Sequence, residues 1–131
     1  MTRQIIQTDK APAPVGAYSQ AVRVGSFLYT AGQVAIDPET GKLITDDITL
    51  QAEQALRNLR AILEAAGGSM QNVVKTTVFL KDMGEFQAMN TVYGSFFPSE
   101  PPARSAVQVA ALPLGARVEI EAVAYLPDAA N

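Results

Sequence analysis

Residues 117–125, RVEIEAVAY, constrain the fold more than any other stretch, because their apolar members recur with a period of two. Successive side chains of a strand point to opposite faces. Val118, Ile120, Ala122 and Ala124 therefore share one face, and Arg117, Glu119, Glu121, Val123 and Tyr125 share the other. Residues 105–110, small and β-branched, read as a second strand, separated from the first by Leu112-Pro113-Leu114-Gly115. Glu121 shares its face with Val123, so its carboxylate is expected to be part-buried and to need a partner. Arg104, opening the preceding strand, is the expected partner across neighbouring strands. That pair has two readings. One is a structural salt bridge; the other is a site in which the guanidinium fork takes a small carboxylate or phosphate while Glu121 positions water.

Composition narrows the chemistry further. The 131 residues, 48% of them hydrophobic, fit one domain spanning residues 1–131. There is no cysteine and no histidine. Disulfides, a thiolate nucleophile, the Ser-His-Asp arrangement and the commonest zinc ligands are thus excluded, which leaves carboxylates, Arg, Lys, Tyr, Ser, Thr and backbone groups to do any chemistry. The formal charge of −3, without runs of like charge, argues against nucleic acid as a partner. The N-terminus turns polar after Ile5 and Ile6, far short of a membrane span or signal peptide, so a soluble cytoplasmic protein with no membrane contact is expected.

Along the chain, residues 3–7 read as a short strand. The loop Ala11-Pro12-Ala13-Pro14-Val15-Gly16 follows and delivers Tyr18, an apolar ring with a polar tip, to the start of the next strand. Strands at 21–24 and 27–34 flank Gly25-Ser26, a two-residue hairpin connection. In the second of them Phe27, Tyr29, Ala31 and Gln33 are expected on one face. Ala31-Gly32 leaves a nearly bare backbone there, suited to a bulge or to close approach of a ligand. Residues 48–66 switch to helical periodicity, with Asp47 as N-cap and Gly67-Gly68 as the stop. A strand at 73–80 and a helix at 85–97 come next, the helix carrying Asn90 beside a stripe of Phe86, Met89, Tyr93, Phe96 and Phe97. The stripe reads as core. The order β-β-β-α-β-α-β-β predicts an α+β fold with one mixed sheet and both helices on one face. The other face, with apolar residues such as Tyr29, Val78 and Val123, is left uncovered and points to a closed homo-oligomer.

Five segments, Gly16-Ala17-Tyr18-Ser19-Gln20-Ala21, Thr30-Ala31-Gly32-Gln33, Asn72-Val73-Val74-Lys75-Thr76-Thr77-Val78, Pro102-Ala103-Arg104-Ser105 and Ile120-Glu121-Ala122, together resemble the reactive-intermediate deaminase (YjgF) family. The similarity runs in order from Ile5 to Tyr125. It implies a chorismate-mutase-like fold assembled as a homotrimer, with three clefts between subunits. The implied activity is hydrolysis of 2-imino and enamine acids, such as 2-iminobutanoate and 2-iminopropanoate, to 2-keto acids and ammonia without a cofactor or metal. On matching positions, the resemblance implies that Arg104 clamps the substrate carboxylate and Glu121 holds the attacking water. Tyr18 and Asn90 would line the cleft, with the backbone of Gly32 and Ala106 close to the ligand. Ala31 stands where many members carry serine, Ala106 where some carry cysteine, and Ala17 where proline is common. A missing hydroxyl at Ala31 implies weaker polarisation of the substrate.

A protonated imine is already electrophilic, so placing an acid group and a water supplies much of the catalysis. The same sparse cleft would equally serve a non-catalytic sensor of keto or amino acids. A third reading attached to the family, an endoribonuclease that inhibits translation, is opposed by the absence of histidine and the acidic balance.

Overall fold

A computed structural model describes residues 3–127. Six strands and two α-helices follow the expected order: β1 (Arg3–Ile6), β2 (Ala21–Val24), β3 (Phe27–Thr30), α1 (Ile48–Ala65), β4 (Val73–Leu80), α2 (Phe86–Phe96), β5 (Ala103–Gln108) and β6 (Val118–Tyr125). They form one sheet in the order β1-β2-β3-β6-β4-β5. All pairs are antiparallel except β4 and β5, which α2 connects in parallel.

The alternation in β6 decides the layering. Val118, Ile120, Ala122 and Ala124 are buried against the helix layer with Leu56, Leu59, Ile62, Leu63 and Met89. Helix α1 begins where Asp47 accepts the Leu50 amide at 2.9 Å, and ends at Gly67, whose φ of +87° turns the chain out of the helix. On the opposite face Phe27, Tyr29, Val107 and Tyr125 stay exposed, with Phe27 and Tyr125 packed ring to ring at 5.3 Å. No helix among the described residues is long and apolar enough to cross a membrane.

Three local expectations change. Val78 is fully buried on the helix side, with Thr76 and Leu80, because β4 is irregular between Val73 and Lys75 and only Lys75, Thr77 and Phe79 face the uncovered side. Strand β3 stops at Thr30, where the threonine hydroxyl accepts the Ala122 amide at 3.0 Å. Pairing resumes between Gln33 and Ile120, so four residues on this side span three on β6, which is a bulge at Ala31-Gly32. A one-residue slip reverses faces, so Gln33 is buried while Phe27 and Tyr29 are exposed. The largest change concerns β5 and β6, which are not neighbours, since β4 lies between them. In that register Arg104 and Ala122 both sit opposite Thr76, on the helix side, whereas Glu121 and Ser105 sit opposite Thr77, on the uncovered side. The expected Arg104–Glu121 salt bridge is therefore not formed within the chain.

Candidate functional site

The residues singled out by sequence separate into two groups. The first surrounds a cavity of about 510 Å³ lined by Tyr18, Ala31, Gly32, Val15, Ile36, Leu114 and Glu119 among others. Its walls are fixed from below. The buried Gln20 amide donates to the carbonyls of Thr8 and Pro12 at 2.9 and 2.8 Å and accepts the Thr8 amide at 2.7 Å, which pins the loop that carries Tyr18. Asn58 of α1 donates to the carbonyls of Val34 and Ile36 at 3.1 and 2.9 Å and so holds the opposite wall.

Glu119 occupies the space that the missing side chain of Gly32 leaves. A Cβ at Gly32 would lie 2.5 Å from Glu119 Oε2 and 2.7 Å from its Cδ. The Glu119 carboxylate is half-buried and accepts no hydrogen bond from the described residues. Burial pushes its pKa up, and the neighbouring Glu121 charge pushes it further the same way. Glu121 itself is exposed on the uncovered face and does not line this cavity.

The second group sits on the helix side of β5, at the free edge of the sheet. Arg104 Nη1 donates to Asn90 Oδ1 at 2.6 Å. Its guanidinium lies 4.8 Å from the centre of the Tyr93 ring and 5.2 Å from that of Phe86. Tyr93 is fixed in turn by a 2.7 Å hydrogen bond with the buried Thr76 hydroxyl; burial raises the Tyr93 pKa, while that bond and the Arg104 charge oppose the rise. Arg104 forms no ion pair among the described residues, in contrast to Arg117, which pairs with Asp46 and Glu85 at 2.9 and 3.1 Å. A guanidinium oriented by an amide and two rings, with no counter-charge among the described residues, can receive an anion. Ala106 lies two residues along the same strand face, opposite Val78 and packed on the core.

One chain thus brings Tyr18, Ala31 and Gly32 together, and separately Arg104, Asn90 and Ala106. The carboxylate that faces the first group is Glu119, which the sequence reading placed on the right face but gave no role. Alternation alone treats Glu119 and Glu121 alike, and only the bulge beside Ile120 separates them. No cluster of three or more metal-ligating His, Cys, Asp or Glu side chains occurs among the described residues.

The sequence model of the endoribonuclease L-PSP family matches residues 8–126. The chain is 53% identical over 122 residues to the 2-iminobutanoate/2-iminopropanoate deaminase of Mus musculus, covering 93% of this chain and 90% of that one. Among solved structures it is similar to RidA from an Antarctic Psychrobacter, at 53% identity and a TM-score of 0.91, covering 94% of this chain and 99% of that one. It is also similar to TdcF of Escherichia coli with bound serine, at 42% identity and a TM-score of 0.90, covering 93% and 98%.

Proposed function

The chain belongs to the endoribonuclease L-PSP family, which includes the reactive-intermediate deaminases, and from that premise we propose that it hydrolyses 2-imino acids to 2-keto acids and ammonia. The observation that carries this reading is the pair of complementary half-sites. One offers an oriented, unpaired guanidinium and the other a half-buried carboxylate of raised pKa beside a bare glycine.

The half-sites lie on opposite faces of one sheet, an arrangement that a second copy would unite. We propose a homotrimer in which the Arg104 and Asn90 edge of one chain closes over the Tyr18, Ala31, Gly32 and Glu119 wall of the next. The exposed Phe27, Tyr29, Val107 and Tyr125 supply the apolar surface for such packing.

In that cleft Arg104 binds the substrate carboxylate bidentately. The Glu119 carboxylate accepts a proton from water as the water oxygen bonds to C2 and the C=N electron pair moves to nitrogen. The carboxyl then returns that proton to nitrogen. The C–N bond breaks, the hydroxyl oxygen becomes the carbonyl, and the hydroxyl proton leaves with ammonia as ammonium. A carboxylate whose pKa burial raises suits both transfers. Glu121, nearest of the remaining carboxylates along the strand, tunes Glu119 by its charge.

The test is a coupled assay in which a threonine or serine dehydratase generates the imine in the presence of semicarbazide. Faster keto-acid release with the protein present is expected. No acceleration, combined with keto-acid binding by calorimetry, would replace the enzyme with a sensor. Coexpressed Arg104→Ala and Glu119→Gln chains, each inactive alone, should recover about a quarter of wild-type turnover if each cleft draws on two chains at random. No recovery would sink the shared cleft.

A further inference from the structure

Arg117 stands at the entrance to β6 and is anchored through both its backbone and its side chain. Its amide donates to the side-chain oxygen of the fully buried Gln51 of α1 at 2.8 Å, and its carbonyl accepts the amide of Lys81, just past β4, at 3.0 Å. Nε and Nη2 of its guanidinium donate to the carboxylate of Asp46, just before α1, at 2.9 and 3.2 Å. The remaining nitrogen, Nη1, donates to both carboxylate oxygens of Glu85 at 3.2 and 3.1 Å. Glu85 is the residue from which α2 starts. It makes no side-chain capping bond to that helix, so its carboxylate is committed to Arg117 and not to the free amides of the first turn. Phe86, the first residue of α2, lays its ring 5.2 Å from the Arg104 guanidinium, and Asn90, one turn on, accepts the Arg104 hydrogen bond. The Arg117 and Glu85 side chains are 28% and 23% exposed, and a partly exposed ion pair adds little stability by itself. What this one supplies is a fixed point for the start of α2.

We propose that Arg117 is a positioning residue for the anion site: through Glu85 it sets the first turn of α2, and that turn sets Phe86 and Asn90 against Arg104. The inference rests on the reading of Arg104 as the clamp for the substrate carboxylate. Arg117 acts on Arg104 and not on Glu119, two residues further along the chain, whose pKa follows burial and the Glu121 charge.

Arg117→Met removes the fixed point, and Glu85→Ala cuts its link to α2 while Asp46 still holds Arg117; the second variant decides alone if the first does not fold. The Arg104 Nε–H resonance in ¹⁵N-labelled protein, identified by its loss in Arg104→Lys, is displaced by the ring currents of Tyr93 and Phe86 and so reports the stack without a ligand. In both variants it should move toward the position of an exposed arginine. Calorimetry should show 2-oxobutanoate binding about tenfold more weakly. With the dehydratase-generated imine, KM should rise while kcat stays within about twofold of wild type and the acidic limb of the pH profile does not move. An Arg104 resonance unchanged in the folded variants, or one that moves while affinity holds, overturns the proposal, and normal turnover beside it leaves the deaminase reading standing. A lower kcat or a displaced acidic limb at unchanged affinity also overturns it, since Arg117 would then act on Glu119. A resonance that moves and an affinity that falls, in a protein that turns over no imine, support the proposal and overturn the enzyme. Where wild type binds no 2-oxobutanoate, the resonance alone decides the link from Arg117 to Arg104, and the clamp reading falls.

Discussion

Arg104 and Asn90 meet through a 2.6 Å hydrogen bond in which the guanidinium donates and the amide oxygen accepts. The amide orients the fork without neutralising it. Asn90→Asp would place a carboxylate on the same atom position and satisfy the charge from within. We expect Asn90→Asp to melt at or above the wild-type temperature while binding 2-oxobutanoate at least tenfold more weakly, because an anion must now displace an internal partner. Arg104→Lys should also bind poorly, since an ammonium cannot reproduce the planar fork. Unchanged affinity in Asn90→Asp would remove Arg104 from the anion site.

The raised pKa of Glu119 has a signed consequence. The folded chain holds this proton more tightly than the unfolded chain does, so the group favours folding below its unfolded pKa, and that contribution is lost as pH rises through the folded pKa. Glu119→Gln should therefore melt higher than wild type at pH 8, with the difference shrinking toward pH 4. Its turnover should fall by about a hundredfold or more, since the amide cannot accept the proton of water.

The acidic limb of the wild-type kcat/KM profile should lie above the usual carboxylate range, because burial first and Glu121 second lift Glu119. Glu121→Gln removes the second cause alone. It should move the limb to lower pH and leave the reaction running, a pattern opposite to that of a residue that itself takes the proton.

Gly32→Ala tests the packing of the carboxylate. The new Cβ would meet Glu119 Oε2 at 2.5 Å and its Cγ at 2.9 Å. Only a side-chain end must move, so the melting temperature should change little. Turnover should drop tenfold or more, as a displacement near 1 Å at a reacting group costs up to about a hundredfold. In a Glu119→Gln background, adding Gly32→Ala should produce no further loss.

The Thr76 and Tyr93 hydroxyls, 2.7 Å apart and both buried, form a closed polar pair under Arg104. Thr76→Val should destabilise the chain by about 1–3 kcal/mol in urea melts by stranding the Tyr93 hydroxyl. The double variant with Tyr93→Phe should cost less than the sum of the two single changes, and because the ring remains, Arg104 keeps its stacking surface.

What could be read from the sequence was what local periodicity encodes. The alternation of Val118, Ile120, Ala122 and Ala124 identified the buried face of β6, and the α1 caps at Asp47 and Gly67 followed from residue chemistry. Strand partnership did not follow, because β5 pairs with β4 and not with β6, and a parallel crossover leaves no mark on the residues it joins. That is why Arg104 and Glu121 looked like partners and lie on opposite faces. The face of Glu119 was legible, and its contact with Gly32 was not, since it depends on a bulge formed by residues about ninety positions earlier.

Strand β6 is the last strand among the described residues and takes a place in the middle of the sheet, between β3 and β4. During synthesis, a nascent chain that has completed β5 owns two separate pieces of sheet, with the strand that joins them still within the ribosome. Neither piece can close its core before β6 pairs with both, so a truncation inside β6 leaves two open strand edges instead of a shortened fold.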